Sequence, residues 1–237
     1  MGFFFTNVNW VAGFILFMAF TILLFYFSVI LYRHARESSV EEGRNIYLYA
    51  IMLFFFFLGI AYAIRTYFMF ILPETIKSFT DNLTLTTRVE EIIQKFWQIH
   101  MFFAFLGVGI LMIGVEKELL NGRTKYVIAA ATLIFNIFII ALPYKDIHPI
   151  HFPLLLTPLI VVFAYLYVGI TGVGEVRKNA YAIVCGFIIF FAGIILNSTT
   201  VREIFGAAWH ISITTIIAPI SLIVGFIILA RGFQNKF

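Results

Sequence analysis

A single cysteine, Cys185, stands among the 237 residues, so the chain can form neither an internal disulfide nor a multi-cysteine metal site. Charge is scarce too. Asp, Glu, Lys and Arg make up 12% of the residues, whereas soluble domains carry roughly a quarter. All twelve acidic residues fall in connectors or at the ends of apolar runs, with Glu116 the nearest to burial. No carboxylate is therefore expected at membrane depth. That counts against proton pumps, cation-coupled transporters and cation filters built on a buried Asp or Glu. An intramembrane aspartyl protease, which needs a carboxylate pair, is excluded on the same ground.

What the chain has in abundance is apolar surface: 62% of its residues are hydrophobic, 19% are aromatic, and the mean hydropathy is +1.01. A helix needs about 20 apolar residues to cross a hydrocarbon core of roughly 30 Å. Stretches of that kind run near 10–32, 47–72, 93–115, 126–143, 152–171, 180–197 and 209–230. They are continuous, as in Phe54, Phe55, Phe56, Phe57 and Leu58, and not the alternating ten-residue segments of a membrane β-barrel. The expected fold is an all-α membrane protein, a seven-transmembrane-helix bundle forming one domain over residues 1–237. The longest connectors, 33–46 and 73–92, are too short to bury a core of their own. The first run is too long, and lacks the basic leader, to be a cleaved signal peptide.

Orientation follows from the basic residues of the short loops. One set of loops holds Arg33, Arg36, Arg44, Lys117, Arg123, Lys125, Arg177, Lys178, Arg231 and Lys236, and the other holds Lys77, Arg88, Lys95, Lys145 and Arg202. The richer set belongs on the cytoplasmic side, which puts the N-terminus outside and the C-terminus in the cytoplasm of a plasma-membrane protein. Trp10, Trp97 and Trp209 then mark the outer interface, and Tyr32, Tyr47, Tyr126 and Tyr181 the inner one. Asn82, Leu83 and Thr84 form a glycosylation triplet in the longest outer loop. A net charge of +4 is accounted for by basic inner loops facing anionic lipid, with no nucleic-acid partner implied. The charged residues of the first two inner loops, Glu116, Lys117, Glu118, Arg123 and Lys125 among them, are expected to form exposed ion pairs.

Polar residues at membrane depth carry the functional signal, because each costs a few kcal/mol there unless it finds a partner or water. Arg65 lies seven residues before the outer end of the second span, roughly 10 Å deep, with Tyr62, Thr66 and Met69 on or beside its face. His100 on the third span shares a stripe with Ala104 and Gly107, whose small side chains admit a neighbouring helix. On the seventh span His210, Thr214, Ala218, Ser221 and Gly225 recur at helical spacing, and Pro219 is expected to kink the helix. The sixth span offers Gly186, Phe190, Gly193 and Asn197, and the fourth Ala129, Thr132 and Asn136. With these faces turned inward, Arg65, His100, Asn197 and His210 are expected to converge near the outer mouth, joined by Tyr62 and Thr214.

Known seven-helix chemistries leave no signature here. A covalently bound retinal needs a lysine in the last span, and none lies between His210 and Ala230. The motifs of G-protein-coupled receptors are replaced by Val115, Glu116, Lys117 and by Ala218, Pro219. Zinc-dependent seven-helix proteins pair histidines four apart, whereas His210 is followed by Thr214. No nucleophile sits beside a base and carboxylate at depth, and no phosphate loop is present, so an enzyme has little support. Three readings remain. The first is a receptor-like or sensory protein whose outward pocket binds a small polar or anionic molecule, matched to the guanidinium of Arg65. The second is a transporter or channel for a small solute or anion, as a homo-oligomer. The third is a metal or haem protein using His100, His148, His151 and His210, imidazole being a ligand for zinc, copper and iron.

Overall fold

The computed structural model describes residues 2–41, 45–72, 84–197 and 213–234. Among them the helices are α1 (Gly2–Glu41), α2 (Ile46–Thr66), α3 (Thr84–Glu118), α4 (Val127–Ala141), α5 (His148–Thr171), α6 (Gly174–Leu196) and α7 (Ala218–Gln234). Short π-helical turns flank two of them, Tyr67–Ile71 after α2 and Ile213–Ile217 before α7. Five stretches, Asn9–Glu37, Ile46–Ile71, Glu91–Glu118, Gly174–Leu196 and Ile213–Phe233, are long and apolar enough to cross a bilayer. The chain is thus an integral membrane protein. Val127–Ala141 and Leu156–Thr171 are apolar but shorter.

Helices α1 and α3 overrun their apolar cores. Residues 33–41 and 84–92 contain neither Gly nor Pro, so nothing in the backbone chemistry stops the helix when the apolar run ends. Pro219 behaves differently. It cannot donate to the carbonyl of Thr215, and the helix accommodates the missing bond by passing through the π turn Ile213–Ile217 immediately before it.

Two compact units divide the chain, one made of residues 1–20 with 162–237 and the other of 21–161. In the first unit α6 and α7 pack backbone to backbone. A Cβ built on Gly186 would lie 2.7 Å from Leu229 N, one on Gly193 3.0 Å from Ala218 O, one on Gly225 2.6 Å from Phe190 N, and one on Gly232 3.1 Å from Asn179 O. Each helix therefore brings two glycines, seven residues apart, to the line of contact. In a bilayer, where lipid is as apolar as any side chain, such close approach is what holds helices together. The small-residue faces expected on these two spans do face protein. Phe20 closes the same unit, edge-on to Phe226 with ring centroids 6.0 Å apart.

The second unit uses the same device between α2 and α3, where a Cβ on Gly107 would meet Phe54 O at 3.0 Å and one on Gly114 the Ala50 Cβ at 2.8 Å. It adds a polar clamp of α3 on α4. At one end the Glu116 carboxylate accepts from Ile128 N at 3.0 Å and Ala129 N at 3.1 Å. At the other, Gln98 Nε2 donates to Ile139 O and Leu142 O, both at 2.9 Å. Between them Asn136 Nδ2 donates to Phe102 O at 3.0 Å. From Gln98 to Glu116 the helix rises about 27 Å and α4 is about 22 Å long, so the two side chains reach just past its ends. They supply an acceptor where α4 has orphan N–H groups and a donor where it has orphan carbonyls, complementing its dipole. We expect Gln98→Leu to lower stability by about 1–2 kcal/mol, read as a thermal midpoint in detergent together with faster amide exchange over the last turn of α4; an unchanged midpoint and exchange pattern would contradict the clamp.

Glu116 corrects an expectation. It is the acidic residue expected nearest to burial, and its exposure is 0%, but it is not part of an exposed ion-pair network; the following loop folds back on it, with Gly122 N donating to Glu116 O at 2.8 Å. Its neighbours do fit the expectation, Lys117 and Glu118 facing each other at 3.9 Å on the surface.

Candidate functional site

Arg65 and His100 meet across the α2–α3 interface. The Arg65 Nη1 to His100 Nε2 distance is 3.5 Å, and on the other side of the ring His100 Nδ1 lies 2.8 Å from Ala61 O. A carbonyl oxygen can only accept, so Nδ1 carries the proton and Nε2 presents its lone pair to the guanidinium. The pairing thus fixes the tautomer of the imidazole. His100 is 3% exposed and Arg65 half-buried, so one member is sealed and the other reaches the edge of the unit.

Aromatic rings wall the histidine. Tyr62 stands edge-on to it at a centroid distance of 5.8 Å and Phe68 at 6.2 Å. Local backbone chemistry sets these positions. Thr66 Oγ1 donates back to Tyr62 O at 2.8 Å, a bond that loosens a helix locally, and the π turn Tyr67–Ile71 begins at the next residue. Such a turn holds an extra residue and shifts the register of the side chains within and beyond it, which brings Phe68 onto the His100 side while Tyr67 faces Phe96 at 5.5 Å. The close approach of α3 at Gly107 keeps the histidine within reach of α2.

Of the residues singled out from sequence, Tyr62, Arg65 and His100 come together within the second unit. Asn197 and Thr214 belong to the first. Asn197 ends α6, its N–H 3.2 Å from Gly193 O and Ile194 O, and is half-buried; Thr214 is buried in the π turn before α7. His210 lies outside the described residues. His148 and His151 stand in the first turn of α5, and their side chains lie outside the described ones as well. Among the described residues no three His, Cys, Asp or Glu side chains are grouped to hold a metal ion. Asn136 acts as the helix-to-helix bridge already described.

Gln98 and Glu116 are polar positions whose roles went unread. One signal for Glu116 stands in the sequence: Lys125 and Tyr126, immediately before the apolar run, are not capping residues, and in the structure the N-cap Tyr126, at φ 61, makes no side-chain cap. A helix start without its own cap needs an acceptor from elsewhere in the chain.

No family model matches the chain, and no curated protein or solved structure is similar enough to place it beside a relative. Integral membrane protein of all-helical fold is the class the structure defines.

Proposed function

We propose that the protein is a receptor-like or sensory membrane protein that binds a small polar or anionic molecule at Arg65 and His100. In this reading the chain is one seven-span domain of the plasma membrane, N-terminus outside, and α4 and α5 cross the bilayer with the five longer helices. The pairing of Arg65 with a neutral, tautomer-fixed His100 carries it. An arginine within an apolar span is costly and marks a functional site by default, and its planar guanidinium fork matches the acceptor oxygens of a carboxylate or phosphate. The histidine adds specificity. Because Nδ1 is committed to Ala61 O, Nε2 can only accept, so a well-matched guest offers acceptor oxygens to Arg65 and an O–H or N–H that takes the place of the guanidinium at His100 Nε2. A 2-hydroxy acid or a hydrogen phosphate combines the two.

Thermal stabilisation of the purified protein across a panel of carboxylates, 2-hydroxy acids and phosphate tests the proposal. Arg65→Ala and His100→Ala are each expected to raise the apparent Kd of a stabilising anion at least about tenfold, the loss of one charge-assisted hydrogen bond, with both variants still folding. Stabilisation that is identical in wild type and both variants would reject the site.

A further inference from the structure

On α1 the residues Ile22, Tyr26, Val29, Arg33 and Arg36 succeed one another at intervals of four and three, which places them on one stripe of the helix. The whole stripe is exposed, Ile22 at 60%, Tyr26 at 65% and Val29 at 50%. Its chemistry changes along its length, from aliphatic through phenol to two guanidinium groups. Ile22, Phe25, Tyr26, Val29, Ile30 and Arg33 line an open groove of about 460 Å³. The groove is built against α2. Phe25 lies over Gly59 of α2, where a Cβ would be 3.0 Å from the ring, and stands edge-on to Phe56 at a centroid distance of 5.8 Å.

The dimensions suit one lipid. From Ile22 to Arg33 the helix rises about 16 Å at 1.5 Å per residue, which is about half the roughly 30 Å hydrocarbon core, the depth of a single leaflet. Arg33 stands where the apolar run ends, at the level of headgroups whichever way the chain is oriented. The nearest carboxylate on α1, Glu37, is turned to His34 at 3.7 Å. We infer that this groove is a binding site for an anionic phospholipid, with one acyl chain along Ile22 to Ile30, the Tyr26 phenol beside the chain and the phosphate held by Arg33 and Arg36. Planar guanidinium forks match phosphate oxygens two at a time, and basic side chains at a membrane boundary select anionic headgroups. The site is separate from Arg65 and does not depend on the proposal made there.

The test is thermal unfolding of the full chain in neutral detergent with added phosphatidylglycerol, phosphatidylcholine of the same acyl chains, or inorganic phosphate. The expected result is a saturable rise in Tm with phosphatidylglycerol that exceeds the rise with phosphatidylcholine. That excess should disappear in R33Q/R36Q, whose changes are confined to exposed positions and leave the lipid-free Tm unchanged. Equal stabilisation by the two lipids, or an excess that survives in the double variant, would overturn the inference. So would an equal effect of inorganic phosphate, which would show a headgroup site without a chain, and so would a shift from dimer to monomer in the variant, which would assign the face to a second copy.

Discussion

Replacing Gly225 by valine is expected to separate α6 from α7 and to cost about 3 kcal/mol or more, a fall of about 10 °C in Tm for a chain of this size. The reason is geometric. The atoms that a Cβ at Gly225 would meet are Phe190 N at 2.6 Å, Gly186 O at 2.9 Å and Phe190 Cα at 2.9 Å. All three are backbone, so no rotamer change relieves the clash and the helix axes must part. Parting them also withdraws the contacts at Gly186, Gly193 and Gly232 along the same line, and in lipid little replaces lost van der Waals contact between helices. Gly59 offers the contrast, since the atoms nearest its Cβ belong to the Phe25 ring, which can shift; Gly59→Ala should cost less than Gly225→Ala. Val224→Leu, one residue along at an exposed position, should leave Tm within about 1–2 °C. Thermal melts of the four variants decide the matter, and a Gly225→Val protein as stable as wild type would show that the backbones do not touch.

The second large effect belongs to Glu116. In Glu116→Ala the amides of Ile128 and Ala129 lose the acceptor at 3.0 and 3.1 Å, supplied by a side chain that is itself 0% exposed. Each buried donor left without a partner costs about 1–3 kcal/mol, and the favourable charge at the start of α4 goes with it; we expect a loss of about 3 kcal/mol in total. Glu116→Gln retains an acceptor oxygen and should lose about half as much. Hydrogen exchange localises the damage: Ile128 and Ala129 should exchange faster in Glu116→Ala while α6 and α7 keep their protection. Uniform exchange changes, or none, would contradict the capping role.

How far the sequence reached can be judged from these same residues. Gly107, Gly186, Gly193 and Gly225 were legible as contact positions because small residues at helical spacing within an apolar run have one physical use, the close approach of another helix. His100 could be placed on an inward face by its neighbours Ala104 and Gly107, and it is buried. A kink was expected at Pro219, and what the structure shows there is the π turn Ile213–Ile217 just before it. Glu116 was misread because its burial is decided by tertiary contact. Its side chain looks like one member of a charged loop until α4 is placed so that uncapped amides point at it. Gln98 was silent for the same reason, its partners Ile139 and Leu142 being over forty residues away in sequence. The ends of α1 and α3 escaped because hydropathy measures where lipid begins, while helix ends are set by backbone breakers and caps. Asn197 and Thr214 were read onto inward faces by spacing alone; they lie in the first unit and Arg65 in the second.

Arg65 and His100 form the centre of the functional account, and their chemistry can be observed at a single residue. In selectively ¹⁵N-labelled protein, the ring nitrogens of His100, assigned through His100→Gln, should show a neutral imidazole with the proton on Nδ1. Titration with a 2-hydroxy acid or phosphate should then move the Nε2 resonance saturably, and Arg65→Ala should abolish that movement. A proton found on Nε2, or an Nε2 resonance that no anion displaces, would contradict the account.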